Sequence, residues 1–341
     1  MKRKNSVHKK KELTKCKHCN MLLSKFEGVK QEEIIMPATQ FICPNGDKVD
    51  IEECLTKCKQ GKRCMFLPTL RAIAKSLDRK IRQPSVTELI AGVRETYLKK
   101  MTEYAVDPFS VLYSLQGQAI HSIHEKNAEG ILSEVRLEDG ITSGRLDLYG
   151  NLLDEGDGIL GDLKVTNSYK LMKALGIYKV DVETGEVYKT GLKKGQPKTK
   201  KEFRYDGIKE IFDWAIQLNY YRRLLKKEGY PVRRMVIQAI CRDSNLKTAV
   251  ERGITEKSYL IEINKISDHW LKLYFSKKAE MLREAMENQE LPPICTPRER
   301  WNDRKCLDYC AARENCPYAR RLMSEKENIS EPVSSSESQA G

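Results

Sequence analysis

"GILGDLKVTN", residues 158–167, is the stretch on which the fold turns. Ile159, Leu163 and Val165 alternate with Leu160, Asp162 and Lys164, so a pleated strand sends both charges to one face and the apolar set to the other. Charge on the inner part of a sheet is costly unless it is paired or holds a metal. The stretch therefore reads either as a salt bridge on a solvated strand face or as a strand that carries a functional site.

Its neighbours favour the second reading. Upstream, "SGRLDLYG" (143–150) puts Arg145, Asp147 and Tyr149 on one strand face, with Leu146 and Leu148 on the other. A turn through "LLDEGDG" leaves room for Asp147 and Asp162 to sit on adjacent strands. In register they place two carboxylates and Lys164 at one spot, and a divalent cation is the ordinary resolution of such repulsion. Oxygen ligands of this kind suit Mg2+ or Mn2+. In "GQAIHSIHE", Gly117, His121 and Glu125 share a helical face, and in "WAIQLNYYRRLL" Gln217 and Tyr221 stand four apart. Taken alone, each also reads as an ordinary boundary of an amphipathic helix.

The order of elements is mixed α/β. "SVTELIAGVRETYLKKMTEY" (85–104) opens with Ser85 and Glu88 in capping-box spacing and predicts a helix. A second helix is expected from 108 to about 130, then strands at 131–137, 141–149 and 158–166. "IYKVDVETGEVYKTG" reads as an inserted hairpin around a Thr-Gly turn, followed by a basic loop, "LKKGQPKTKKEFR". A helix (206–228), strands at 233–242 and 258–264 and a helix at 267–289 complete the plan. The expected organisation is a basic arm with a C-x2-C (1–35), a four-cysteine module (36–80), the α/β core (81–290), a second four-cysteine module (291–322) and a disordered Ser/Glu-rich tail (323–341).

The cysteines repeat. Cys43, Cys54, Cys58 and Cys64 are spaced C-x10-C-x3-C-x5-C, and so are Cys295, Cys306, Cys310 and Cys316. Four thiolates per set suit tetrahedral zinc or an iron–sulfur cluster. Cys16 and Cys19, with His18, form a zinc half-site pattern, and Cys241 reads as a small core residue. Lys and Arg number 61 against 48 Asp and Glu, a net charge of +13 that suits a polyanionic partner such as DNA. No apolar run is long enough to span a bilayer and no apolar signal segment stands at the start, so a cytoplasmic location without membrane partners is expected. The chain has no "GxxxxGK[ST]" motif, so any helicase activity must come from a partner.

The ordered set "GxxxHxxxE", "GRLDL", "GDLK", "QxxxY" and a cysteine-rich C-terminus resembles the RecB-like branch of the PD-(D/E)xK nuclease superfamily. That branch includes AddB and RecB nuclease domains and CRISPR-associated RecB-like exonucleases, and the similarity covers about residues 85–320. The resemblance implies a restriction-endonuclease-like core acting as a DNA nuclease on ends or single strands, in recombination, repair or phage- or CRISPR-related processing. It implies His121, Asp147, Asp162 and the carbonyl of Leu163 as ligands of Mg2+ or Mn2+, and Lys164 as the catalytic lysine. It implies Gln217 and Tyr221 as the helix motif that contacts DNA, and Glu134 as an acid just outside the ligand set.

The cysteines around "PPIC" resemble the family's iron–sulfur staple, here a 4Fe-4S cluster on Cys295, Cys306, Cys310 and Cys316. The family commonly draws one cluster cysteine from before the core, where Val93 stands in this chain. Either Cys295 supplies the fourth ligand and Cys43 to Cys64 are left as a zinc site or a second cluster, or an upstream cysteine closes the C-terminal cluster. On this reading the Lys-rich arm, the 189–204 loop and a basic face at Arg222 and Arg223 hold the strand. Tyr149, Trp214 and Tyr220 either stack on bases or pack the core. The alternative is a catalytically silent, metal-bound DNA-binding scaffold.

Overall fold

The computed structural model describes residues 38–77 and 83–330. The basic arm with Cys16, His18 and Cys19, and the last eleven residues of the tail, lie outside the described residues.

The N-terminal unit starts with β1 (Ala38–Ile42), paired antiparallel with β2 (Lys48–Asp50) through Phe41 and Val49. Asp50 caps α1 (Ile51–Thr56) by accepting the Glu52 and Glu53 amides. With α2 (Leu67–Leu77), these elements bury Phe41, Val49, Cys54, Leu70 and Ile73 in a small core of their own.

The helix expected over 85–104 is two helices, α3 (Val86–Ala91) and α4 (Val93–Met101). The Ser85–Glu88 capping box starts the first as expected. The break falls at Gly92, whose φ is +131° and where a Cβ would stand 3.0 Å from Cys295 Sγ. Next, β3 (Tyr104–Val106) pairs parallel with β1, and α5 (Pro108–Lys126) follows behind an Asp107 cap.

The central sheet is built from β4 (Leu132–Glu138), β5 (Ser143–Gly150), β6 (Ile159–Thr166), β9 (Arg234–Cys241) and β10 (Ser258–Glu262). Its order is β10-β9-β6-β5-β4. Strands β6 and β9 run parallel from Ile159↔Arg234 to Thr166↔Cys241, and the other pairs are antiparallel. This is a mixed sheet flanked by helices, as the alternation of patterns indicated. Strand β6 lies between two others, and its first five residues, Ile159 to Leu163, are buried, Asp162 among them.

Between β6 and β9 lie α6 (Ser168–Ala174), β7 (Tyr178–Val187), β8 (Pro197–Arg204) and α7 (Phe212–Lys227). Here the structure departs from the sequence reading. The Thr184–Gly185 step does not reverse the chain but marks a register shift within β7. The partner strand comes from the stretch read as a basic loop, and the reversal falls at residues 188–196, where Gly191 and Gly195 have positive φ. Charged residues can occupy that strand because the ribbon stands largely in solvent.

After β9 come α8 (Lys247–Val250), then β10 and α9 (Asp268–Asn288). The C-terminal segment contains α10 (Arg304–Asp308) and α11 (Pro317–Ser330). Helix α11 continues over residues 323–330, which the sequence reading assigned to the disordered tail. The segment is fastened to α4 and the residues just after it. Arg94 Nε donates to the Pro292 carbonyl, Lys305 pairs with Glu95, and Asn315 reaches Thr102 Oγ1 and the Glu103 carbonyl. Among the described residues no helix is long and apolar enough to cross a membrane.

Candidate active site

The β5–β6 ladder aligns Leu148 with Gly161 and Tyr149 with Leu160, so the next facing positions are Asp147 and Asp162. The β4–β5 ladder aligns Ser133 with Leu148 and Val135 with Leu146, which sets Glu134 opposite Asp147. Three carboxylates from three neighbouring strands thus occupy one row. Glu134 has φ +54°, a left-handed conformation uncommon for a non-glycine residue and the kind of local strain that concentrates at functional sites.

Helix α5 delivers His121 to this row. Its Nδ1 is 3.1 Å from Glu134 Oε1 and 3.6 Å from Asp147 Oδ2. His121, Glu134 and Asp147 each offer a ligand atom, all within 4.8 Å of one another. Glu134, expected just outside the ligand set, stands in the group that could hold a metal ion. Glu125, on the expected helical face with His121, is exposed instead. The signal for Glu134 was its place directly across from Asp147, which needs the strand register and not the motif. Arg145 Nε sits 2.8 Å from Glu134 Oε2 and so holds the other edge of that carboxylate.

Asp147 is buried, and its Oδ2 accepts the Leu163 amide at 2.7 Å. Burial and the neighbouring Asp162 push its pKa up to about 7, against the smaller opposing pull of Lys164 and His121. Asp162 lies deeper, and Lys164 Nζ stands 2.7 Å from its Oδ2. That contact is an ion pair without hydrogen-bond geometry, so Oδ2 is partnered by charge alone.

Helix α7 closes the other side. Gln217 Nε2 is 3.4 Å from both Asp162 Oδ1 and Tyr221 Oη, and its Oε1 accepts from Lys164 Nζ at 3.3 Å. Burial, with Asp162 and Asp147 nearby, pushes the Tyr221 phenol up, so it stays protonated. The Tyr221 ring needs Gly144 beneath it, since a Cβ there would stand 2.3 Å from Cε1.

Other expected contributors lie elsewhere. Arg222 is buried against Asp268 and the Ile266 carbonyl, and Arg223 Nη1 is bound to buried Asp139 Oδ2 at 2.6 Å. They are structural ion pairs on a two-sided buried helix and form no free basic face. Tyr220 is fully buried and donates to Asp139, and Tyr149 donates to the Pro231 carbonyl, so both are held by the core. Trp214 packs against the core with Lys170 over its ring.

No disulfide joins the nine described cysteines. Cys43, Cys54, Cys58 and Cys64 line a single cavity of about 220 Å3. In the C-terminal set, burial and the proximity of Cys295 and Cys316 push Cys306 up to about 11. Burial and Glu95 do the same to Cys310. Arg94 Nη1 approaches Cys316 Sγ at 3.9 Å. Cys241 packs in the core, as its apolar strand implied.

Comparison with protein-family models, with curated proteins and with solved structures finds no match to this chain.

Proposed function

We propose that this chain is a divalent-metal-dependent DNA nuclease of PD-(D/E)xK type. The observation that carries the proposal is the carboxylate row. Glu134, Asp147 and Asp162 gather on three adjacent strands, with His121 beside two of them and Lys164 on the third. Such a concentration of negative charge, with one ligand atom each from His121, Glu134 and Asp147 within 4.8 Å of one another, fits a bound cation better than a set of salt bridges.

The carboxylate and carbonyl oxygens of Glu134, Asp147, Asp162 and Leu163 suit Mg2+ or Mn2+, with the His121 imidazole as one further donor. When bound, the cation supplies Lewis acidity toward a phosphate oxygen and an attacking water. Lys164 is steered by Asp162 and Gln217, and its amine orients that water or takes its proton. Gln217 and the protonated Tyr221 hold the lysine in place from α7. Cys295, Cys306, Cys310 and Cys316 carry an iron–sulfur cluster that pins the C-terminal segment against Gly92 and Arg94. DNA is held electrostatically, chiefly by the exposed lysines of the β7–β8 ribbon.

Mn2+ binding by calorimetry, run beside cleavage of end-labelled DNA, tests the proposal in the intact chain and in Glu134→Gln. The expected result is cleavage with Mg2+ or Mn2+, and a variant that binds Mn2+ at least tenfold more weakly and cleaves correspondingly less. DNA bound but left intact under every metal would support the silent scaffold instead.

A further inference from the structure

The N-terminal cysteines lie outside the carboxylate site, and their arrangement is informative independently of it. Cys43 follows β1 in a turn closed by its own amide to the Asp47 carbonyl at 2.7 Å. Cys54 is buried on α1, Cys58 comes just after that helix, and Cys64 stands before α2. All four face one cavity of about 220 Å3, with Lys62 and Arg63 on its wall. We propose that this cavity houses an iron–sulfur cluster, separate from the C-terminal cysteines and ligated by Cys43, Cys54, Cys58 and Cys64.

Sulfur spacing and cavity volume separate a cluster from zinc. A single zinc ion with Zn–S bonds of about 2.3 Å draws its four sulfurs to about 3.8 Å from one another. Among the described residues no three cysteine sulfurs come within 4.8 Å of one another. A cluster places its iron and sulfide between the cysteines, so it needs both the wider spacing and a cavity among them. With either metal, four thiolates leave net negative charge, and Lys62 and Arg63 on the cavity wall are placed to offset it.

The scaffold gives the cluster a structural task. Only five buried apolar residues make up the core of residues 38–77, and units of roughly 40 residues usually need a metal, disulfides or a partner surface to hold. Part of that support comes from Val111, Leu112 and Leu115 of α5. The identical C-x10-C-x3-C-x5-C spacing at the other end of the chain suits the same class of cofactor.

The test is metal and acid-labile sulfide analysis of the anaerobically purified full chain, with Cys58→Ser, Cys64→Ser and Cys306→Ser. Iron and sulfide should both fall in Cys58→Ser and Cys64→Ser, and Cys306→Ser should keep the share that those variants lose. If the N-terminal variants do not fold, the native chain decides: about eight irons per chain fits two four-iron clusters. Zinc near one per chain that disappears in Cys58→Ser while iron stays constant would overturn the proposal, as would iron unchanged in every N-terminal variant. Cleavage activity is not the readout, so failure here leaves the carboxylate site untouched.

Discussion

Asp147→Asn separates a metal site from an ordinary salt-bridged strand. In the folded protein burial and Asp162 raise the Asp147 pKa from 3.8 to about 7. A group raised in this way binds more protons folded than unfolded, so native stability falls as pH climbs from about 4 to about 7. Taken whole, the shift is equivalent to roughly 4 kcal/mol against the ionised form. Asp147 and Asp162 share the repulsion and neighbouring groups relax, so we expect about half, roughly 2 kcal/mol. Asparagine keeps an oxygen for the Leu163 amide while removing the charge.

In EDTA, Asp147→Asn should melt about 4 °C above the native chain at pH 8 and at nearly the same temperature at pH 4. Addition of Mn2+ at pH 8 should raise the native melting temperature and leave the variant almost unmoved. Scanning calorimetry under anaerobic conditions gives both numbers. A variant less stable than the native chain in EDTA at pH 8, or one stabilised equally by Mn2+, would refute the reasoning.

Gly144→Ala should displace the Tyr221 ring, cost about 1–3 kcal/mol in urea unfolding and reduce cleavage through the shifted Gln217. Arg223→Ala should destabilise by about 3 kcal/mol, because buried Asp139 loses its cation; urea midpoints would show this, and the salt slope of DNA binding should not change. Reversing Lys200 and Lys201 to glutamate on the exposed ribbon should weaken DNA binding and lower the salt slope by about 2, with the melting temperature within a degree or two.

Much of this arrangement was legible in the sequence because it follows short periods. Alternation placed Asp162 with Lys164 and Arg145 with Asp147, and spacings of four placed Gln217 with Tyr221. The Ser85–Glu88 box marked a helix start that the structure retains. What sequence patterns left unread depends on register and on distant packing. Glu134 enters the site because β4 sets it across from Asp147. Gly92 breaks a helix because the C-terminal segment brings Cys295 against it. The β7–β8 ribbon was misplaced because a strand of alternating lysines looks like a loop when its partner is unknown. Arg222 and Arg223 looked like a basic face because their acidic partners, Asp268 and Asp139, lie more than forty residues away along the chain.

Action of Lys164 and the carboxylate row on DNA is tested most directly by digestion of end-labelled single- and double-stranded DNA with Mn2+, the native chain run beside Lys164→Ala. The native chain should shorten the label in a metal-dependent way, and the variant should cleave at least a hundredfold more slowly with its melting temperature preserved. Equal cleavage by the two proteins, or DNA left intact by a folded native chain with Mn2+ bound, would contradict the nuclease reading.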